Sequence, residues 1–403
     1  MNAKVLVFCE GIWLAHTARP LVVAEGLRAA GCRVEFAASG KFASLAADAG
    51  FKVHPAATMD PAKALAAVRS LRIGYDRALI EAYVEDELTL LKRIGPDFVL
   101  NDFRLPAAIS CPLAGVPLVN ILNAYMTNFY APVRRSPGDL VTTRILGRRL
   151  STALLPPVMK AFLKLHVRPF NTVAKSRRLA PFANLFDVMA SPDLNLICDL
   201  PDFAPLTGAP GHFKYIGPIV WEPNLPAPGW LASVDRSRPA VYFTMGSTGF
   251  QHYYRILKAA FAGTDYQVLI TTGGVSDPGQ LPDNFHVAAL APALSILDKS
   301  DLVICHGGNG TIYQALSKAV PVLGIPTFHD QDFNMQRVVD LRLGAALWPR
   351  SLTGKTLREA ADRLLADDEV QASARAFAAK INAADAVRSA VKFIDRFLAL
   401  TTV

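Results

Sequence analysis

The stretch CHGGNGTIYQAL, residues 305–316, decides how the chain is read. Before it, SDLVIC (300–305) is a short apolar run of strand type, and after the glycines IYQALSKAV (312–320) has the look of a helix. A strand therefore passes into a helix through Gly307, Gly308 and Gly310. Glycines let backbone N–H groups approach an anion closely, and a helix start adds unpaired donors and a partial positive charge. Thr311 brings a hydroxyl and His306 a ring N–H. The turn reads as a cradle for a phosphate or diphosphate. No lysine follows, so it is not a Walker A loop, and it lacks the GxGxxG spacing of a nicotinamide site.

Working outward, two more Gly-containing turns follow strand-like runs, GSTG (246–249) and TTGG (271–274). In an open parallel sheet, ligands sit beyond the carboxyl ends of the strands, so all three turns are expected to line one edge of one sheet. The strands AVYFT, YQVLIT, FHVAAL, DLVIC and VPVLGIP carry that half. The first third alternates in the same way: KVLVFC, a helical RPLVVAEGLRAAG, RVEFAAS, FKVHPA, PDFVLND and PLVNILN. This βαβ rhythm predicts an α/β fold of two Rossmann-like halves. Residues 221–230, WEPNLPAPGW, read as the linker. The expected domains are 1–220, a linker 221–234, 235–380, and a last helix 381–403 that returns to the first domain. Residues 125–190 break the rhythm; they look mostly helical, and they are basic from Arg134 to Arg178.

The 403 residues are 51% hydrophobic and 19% charged, a globular composition with ample core. The formal charge is +8, yet no zinc-finger or RNP-type pattern points to nucleic acid. The five cysteines are scattered without metal-ligand spacing, as buried reduced thiols of a cytoplasmic protein would be. No signal-peptide pattern and no spanning apolar run are visible.

Residues 291–347 carry a resemblance. His-Gly-Gly-x-Gly-Thr, then Gly-x-Pro, then Asp-Gln with Asn three residues on, is similar to the donor-binding signature of UDP-glycosyltransferase-like enzymes, inverting transferases of the GT-B, family-1 type. The resemblance implies a bacterial natural-product transferase with a cleft between its two domains. It implies donor contacts at His306, Gly308, Asn309, Gly310 and Thr311 for the diphosphate, and at Asp330 and Gln331 for the sugar. Gln314 stands where many relatives place a ribose-binding Glu. Leu290 and Ala291 stand where uridine-using relatives carry Trp-x-Pro-Gln; the stacking Trp is missing, which leaves the donor nucleoside, uridine or deoxythymidine, open. Gly246, Ser247, Thr248, Thr272 and Gly273 complete the expected donor site.

The chemistry needs an acceptor hydroxyl made nucleophilic, which calls for a general base. His16, in CEGIWLAHTARPL (9–21), lies after the first strand and before a helix expected to start near Pro20. The resemblance gives it the acceptor proton. A carboxylate would orient its ring; Asp102 is preferred, with Glu10 as the alternative. Trp13, Tyr125 and Phe129 are expected against the acceptor, a hydrophobic or aromatic small molecule. No Asp-x-Asp is present and no metal is expected; the nucleotide-sugar is a co-substrate. A monomer or homodimer is expected.

The basic stretch 140–165 leaves two readings open, an element touching membrane or a helix packed on the acceptor site. Pro156 and Pro157 are expected to break a long interfacial helix. Two other functions also stay open, a nucleotide-sugar epimerase and a non-catalytic partner of a transferase.

Overall fold

The structure is a computed structural model that describes residues 1–70, 73–138, 140–246, 251–274 and 276–401. Two compact units divide the chain. The first comprises Met1–Val133, Leu154–Ile219 and the chain from Asp385 on; the second comprises Arg134–Ala153 and Val220–Ala384.

The first unit is built on seven strands: β1 (Lys4–Cys9), β2 (Arg33–Ala37), β3 (Lys52–His54), β4 (Phe98–Asp102), β5 (Leu118–Leu122), β6 (Leu194–Ile197) and β7 (Phe213–Tyr215). Their order is β3-β2-β1-β4-β5-β6-β7, all parallel. Both faces of such a sheet are covered, so β1 reads as a nearly unbroken apolar run. Val5, Val7 and Cys9 enter one core with Val23, Leu27, Ala390 and Ile394. Leu6 and Phe8 enter the other with Leu90, Leu91 and Ile94. The last helix, Ala386–Thr401, thus belongs to this unit, and it packs closely on helix Ala15–Ala29 because Gly26 has no side chain. A Cβ there would lie 2.3 Å from Val387 Cγ1.

The second unit has six strands: β8 (Ala240–Thr244), β9 (Gln267–Thr271), β10 (Phe285–Ala288), β11 (Leu302–Cys305), β12 (Val322–Gly324) and β13 (Gly344–Ala346). Their order is β10-β9-β8-β11-β12-β13, again all parallel. In each sheet the strand order reverses beside a central pair, β1/β4 in one and β8/β11 in the other. Those reversals are the switch points where open α/β sheets bind ligands.

Three features differ from the sequence expectations. Strand β13 is Gly-Ala-Ala, with no β-branched or aromatic residue to announce it; a Cβ on Gly344 would lie 1.8 Å from the Val322 oxygen. Residues 134–153 group with the second unit, not with 1–220. Arg135 N donates to Gln336 Oε1 at 2.9 Å, Gln336 Nε2 returns to the Arg135 oxygen at 2.7 Å, and Arg135 pairs with Asp340 at 2.6 Å. Pro156 and Pro157 do not end a helix: Val141–His166 runs through both, and its one non-helical residue is Gly147. Two missing N–H groups leave two carbonyls of the preceding turn to water, which an exposed helix tolerates.

All five cysteines are free and buried, and burial pushes the Cys9 and Cys305 thiols up to about 12.

Candidate active site

At the first switch point, β1 and β4 are paired so that Cys9 stands opposite Asp102. Asp102 closes β4 and is fully buried. The helix after β1 begins at Ala15, not near Pro20, because the Leu14 carbonyl already accepts from Thr17 N and Ala18 N at 3.2 and 2.9 Å. His16 therefore sits in the first helical turn, and Pro20 lies inside the helix.

His16 Nδ1 meets Asp102 Oδ1 at 2.7 Å, with the imidazole only 16% exposed. Its ring stacks on Phe103, centroids 4.5 Å apart and planes 8° from parallel. Phe103 reaches this position through a left-handed backbone, φ 60°. Three residues after His16, on the same helical face, Arg19 holds the same carboxylate with two bonds. Nε donates to Oδ2 at 2.9 Å and Nη2 to Oδ1 at 2.7 Å, while Nη1 donates to Asn123 Oδ1 at 2.6 Å. Asn123 and Ala124 N in turn donate to buried Asp199. Burial pushes the Asp102 carboxyl up, but Arg19 and His16 outweigh it and hold it below the ordinary range. Asp102 is thus an anion whose acceptor atoms point at His16 Nδ1. A proton on Nδ1 leaves Nε2 with its lone pair, and among the described residues no group bonds Nε2.

Glu10 turns elsewhere. It is buried and accepts from Thr58 Oγ1 at 2.5 Å and from the Tyr83 hydroxyl at 3.1 and 3.2 Å. Arg104, also buried, donates to Glu87 Oε1 at 2.6 Å and lies 4.3 Å from the Tyr83 ring centroid. Burial pushes Glu87 up to about 7 although Arg104 opposes the shift, and the surrounding carboxylates keep Arg104 charged. Arg19 and this polar cluster were missed in the sequence. The i, i+3 spacing of His16 and Arg19 would have revealed the first, given an earlier helix start.

At the second switch point, Cys305 on β11 stands opposite Thr244 on β8. His306 follows β11, Gly246 follows β8, and both turns close on the imidazole. A Cβ on Gly246 (φ 63°) would lie 2.8 Å from His306 Cε1, and one on Gly308 2.5 Å from Nε2. Helix Asn309–Ser317 starts directly after, with Gly308 at its N-cap and no side chain capping it. Asn309, Gly310 and Thr311 form its first turn, and the N–H groups of a helix's first turn point out of its N-terminal end. Burial pushes His306 down to about 4, with the Thr244 backbone opposing. It is therefore neutral near pH 7 and offers a ring N–H rather than a charge.

The other expected donor residues are placed as follows. Thr272 is buried after β9, and Gly273 has φ 65°. Leu290 is 56% exposed beyond β10 and Ala291 is buried. Gln314 Nε2 donates to the Trp221 carbonyl at 2.5 Å. Gln331 is buried and its Oε1 accepts from Thr327 N and Oγ1 at 2.9 Å, fixing the start of helix His329–Asp340. Its amide NH2 is what it can offer a ligand. Asp330 is exposed in that first turn. Ser247 and Thr248 lie outside the described residues. On the acceptor side, Trp13 packs with Ile12, Met59, Tyr75 and Leu79. Tyr125 follows β5 near Arg19, and Phe129 packs edge-on to Phe213 at 5.1 Å.

The comparisons with known proteins fit this arrangement. The C-terminal domain of erythromycin biosynthesis protein CIII-like proteins matches residues 255–392. A PGL/p-HBAD biosynthesis glycosyltransferase of Mycobacterium tuberculosis (strain ATCC 25618 / H37Rv) is 30% identical over 379 residues, 93% of this chain and 88% of the relative. A PGL/p-HBAD biosynthesis rhamnosyltransferase of Mycobacterium bovis (strain BCG / Pasteur 1173P2) is 31% identical over 374 residues, 92% of this chain and 83% of the relative. Among solved structures, the calicheamicin glycosyltransferase CalG4 matches with a TM-score of 0.72 over 100% of both chains at 21% identity. SsfS6 of Streptomyces sp. SF2575, complexed with thymidine diphosphate, matches with a TM-score of 0.69 over 98% of this chain and 100% of its own at 18% identity. The two parallel sheets define a GT-B protein. The chain belongs to the UDP-glycosyltransferase-like family of natural-product type, and it is a glycosyltransferase.

Proposed function

We propose that the protein moves a sugar, with inversion, from a UDP- or dTDP-sugar to a hydroxyl of a hydrophobic or aromatic small molecule, with His16 as general base. The observation that carries this reading is the 2.7 Å contact of His16 Nδ1 with a buried, ionised Asp102. It leaves Nε2 as the acceptor of the hydroxyl proton. As that proton moves, the hydroxyl oxygen bonds to the anomeric carbon. The bond from that carbon to the phosphate oxygen breaks, and its electron pair leaves with the nucleoside diphosphate. Asp102 stays ionised and stabilises the imidazolium. The growing charge on the leaving diphosphate falls to His306, to the first turn of helix Asn309–Ser317, including Gly310 and Thr311, and to the turns carrying Gly246, Ser247 and Thr248 and Thr272 and Gly273.

Leu290 and Ala291 would flank the base, and Gln314 the ribose through its Oε1. Asp330 and the Gln331 amide would hold sugar hydroxyls. Trp13, Tyr125 and Phe129 would face the acceptor. The thymidine diphosphate held by SsfS6 supports dTDP as the first nucleotide to try. The test is incubation with dTDP- and UDP-sugars and a panel of phenols and apolar alcohols. A glycoside of inverted anomeric configuration is expected. Turnover of the nucleotide-sugar with no transfer to any acceptor would contradict the reading.

Arg19 would act through Asp102. Arg19→Gln is expected to lower kcat by roughly ten- to hundredfold with acceptor KM little changed, because the carboxylate loses the two bonds that aim it. Arg19→Lys should restore less than half of the loss, since an ammonium cannot reproduce the fork. A parallel change in KM and kcat would point to a merely structural role.

His306 predicts a pH effect. Its folded pKa of about 4 lies below the ordinary 6.5, so between those values the unfolded chain takes up a proton that the folded chain refuses. This contribution to stability is full above about 6.5 and declines as pH falls toward 4. His306→Gln should flatten that part of the stability curve, measured by thermal unfolding. Bound diphosphate should raise the pKa, visible as a shifted imidazole titration by NMR.

A further inference from the structure

We infer that the helical segment Leu154–His166 is a docking surface for an anionic lipid bilayer. The segment from Leu154 to His166, which belongs to the first unit, has two faces. Leu155, Met159, Phe162 and His166 are half-buried on one, and Leu163 packs beside them on the core of Ile80, Leu105, Phe170 and Val173. The other face carries Leu154, Val158, Ala161 and Leu165, at the four-three-four spacing of a single helical stripe. Leu154, Val158 and Leu165 are 44%, 60% and 54% exposed. Lys160 and Lys164 run beside that stripe, both exposed. The preceding part, in the second unit, repeats the composition: Ile145 and Leu150 are exposed among Arg144, Arg148 and Arg149.

A helix with this much exposed apolar surface calls for a partner. The charge identifies which. From Val141 to Phe186 the sequence holds nine Lys and Arg and no Asp or Glu. Among the described residues, no ion pair occupies Arg144, Arg148, Arg149, Lys160 or Lys164. An apolar stripe flanked by free cations fits the boundary between anionic headgroups and acyl chains. A second copy of this chain would instead bring like charges together. No described helix is long and apolar enough to cross a membrane, so the helix lies on the bilayer. Such contact would hold the enzyme where apolar acceptors collect.

The test is co-sedimentation of the full-length protein with phosphatidylcholine vesicles and with vesicles of equal parts phosphatidylcholine and phosphatidylglycerol. Binding to the anionic vesicles is expected, weakened by salt, with binding to the neutral ones at least tenfold weaker. The variant Leu154→Gln/Val158→Gln/Leu165→Gln changes only exposed side chains, should keep the thermal unfolding of the wild type, and should lose binding. Lys160→Glu/Lys164→Glu should lower binding by roughly tenfold or more. Two results overturn the inference: no binding to anionic vesicles, or binding that neither variant alters. Self-association in sedimentation velocity that the triple variant abolishes, without vesicle binding, would assign the stripe to a second copy instead.

Discussion

His16→Ala is expected to lower kcat by roughly 10²–10⁴ while leaving nucleotide affinity unchanged. The size follows from the role. An alcohol is scarcely ionised near neutral pH, and without a base its proton must leave to water in the transition state. The selectivity follows from the placement: His16 belongs to the first unit and the turns proposed to hold the nucleotide belong to the second. The substitution should not disturb the fold, because Asp102 keeps both of its bonds to Arg19. Single-turnover rates and a separate nucleotide titration read the two quantities independently. A variant that keeps most of its activity would remove His16 from the base role. A variant that loses nucleotide binding would mean that the side chain does something other than accept a proton.

The second large effect is on stability. Arg104→Met is expected to destabilise the first unit by about 3–5 kcal/mol, a large part of the roughly 5–15 kcal/mol that holds an ordinary domain folded. Methionine keeps most of the volume, so packing is not the main loss. The loss is the counter-charge and hydrogen bond of Glu87, which burial already pushes up to about 7 and which must then take up a proton in the core with only the Ser110 hydroxyl, at 2.5 Å, left to serve it. Adding Glu87→Gln to Arg104→Met should recover part of the stability, because an amide is neutral without taking up a proton. Chemical unfolding of the three variants gives the coupling directly. Additive losses would show that the pair is not the cause.

Arg104 also shows where sequence reading stops. A fully buried arginine has no pattern in one dimension: its partners Glu87, Ala57 and Tyr83 come from other segments. Most strands of both sheets were legible, because parallel strands buried on two faces must be continuous apolar runs. The turn at 305–316 was legible for a related reason, since the chain can pass from strand to helix around His306 only with glycines at its contacts. The partner of His16 was readable as one of two carboxylates, and the geometry selects Asp102. Arg19 was not legible while Pro20 was taken as a helix start. Once the helix begins at Ala15, His16 and Arg19 share one face. Pro156 and Pro157 misled in the opposite direction, because an exposed helix can leave two carbonyls to water. Gly344–Ala346 carries no strand signal at all; it pairs with β12 because glycine permits the approach.

The measurement that bears most directly on the central claim is calorimetric titration of the purified protein with dTDP and with UDP, repeated on His306→Ala. One of the nucleotides is expected to bind, and the substitution to weaken that binding by roughly tenfold or more. If neither nucleotide bound, or if the variant bound as well as the wild type, the turn at residues 305–316 would not be the diphosphate cradle on which the account rests.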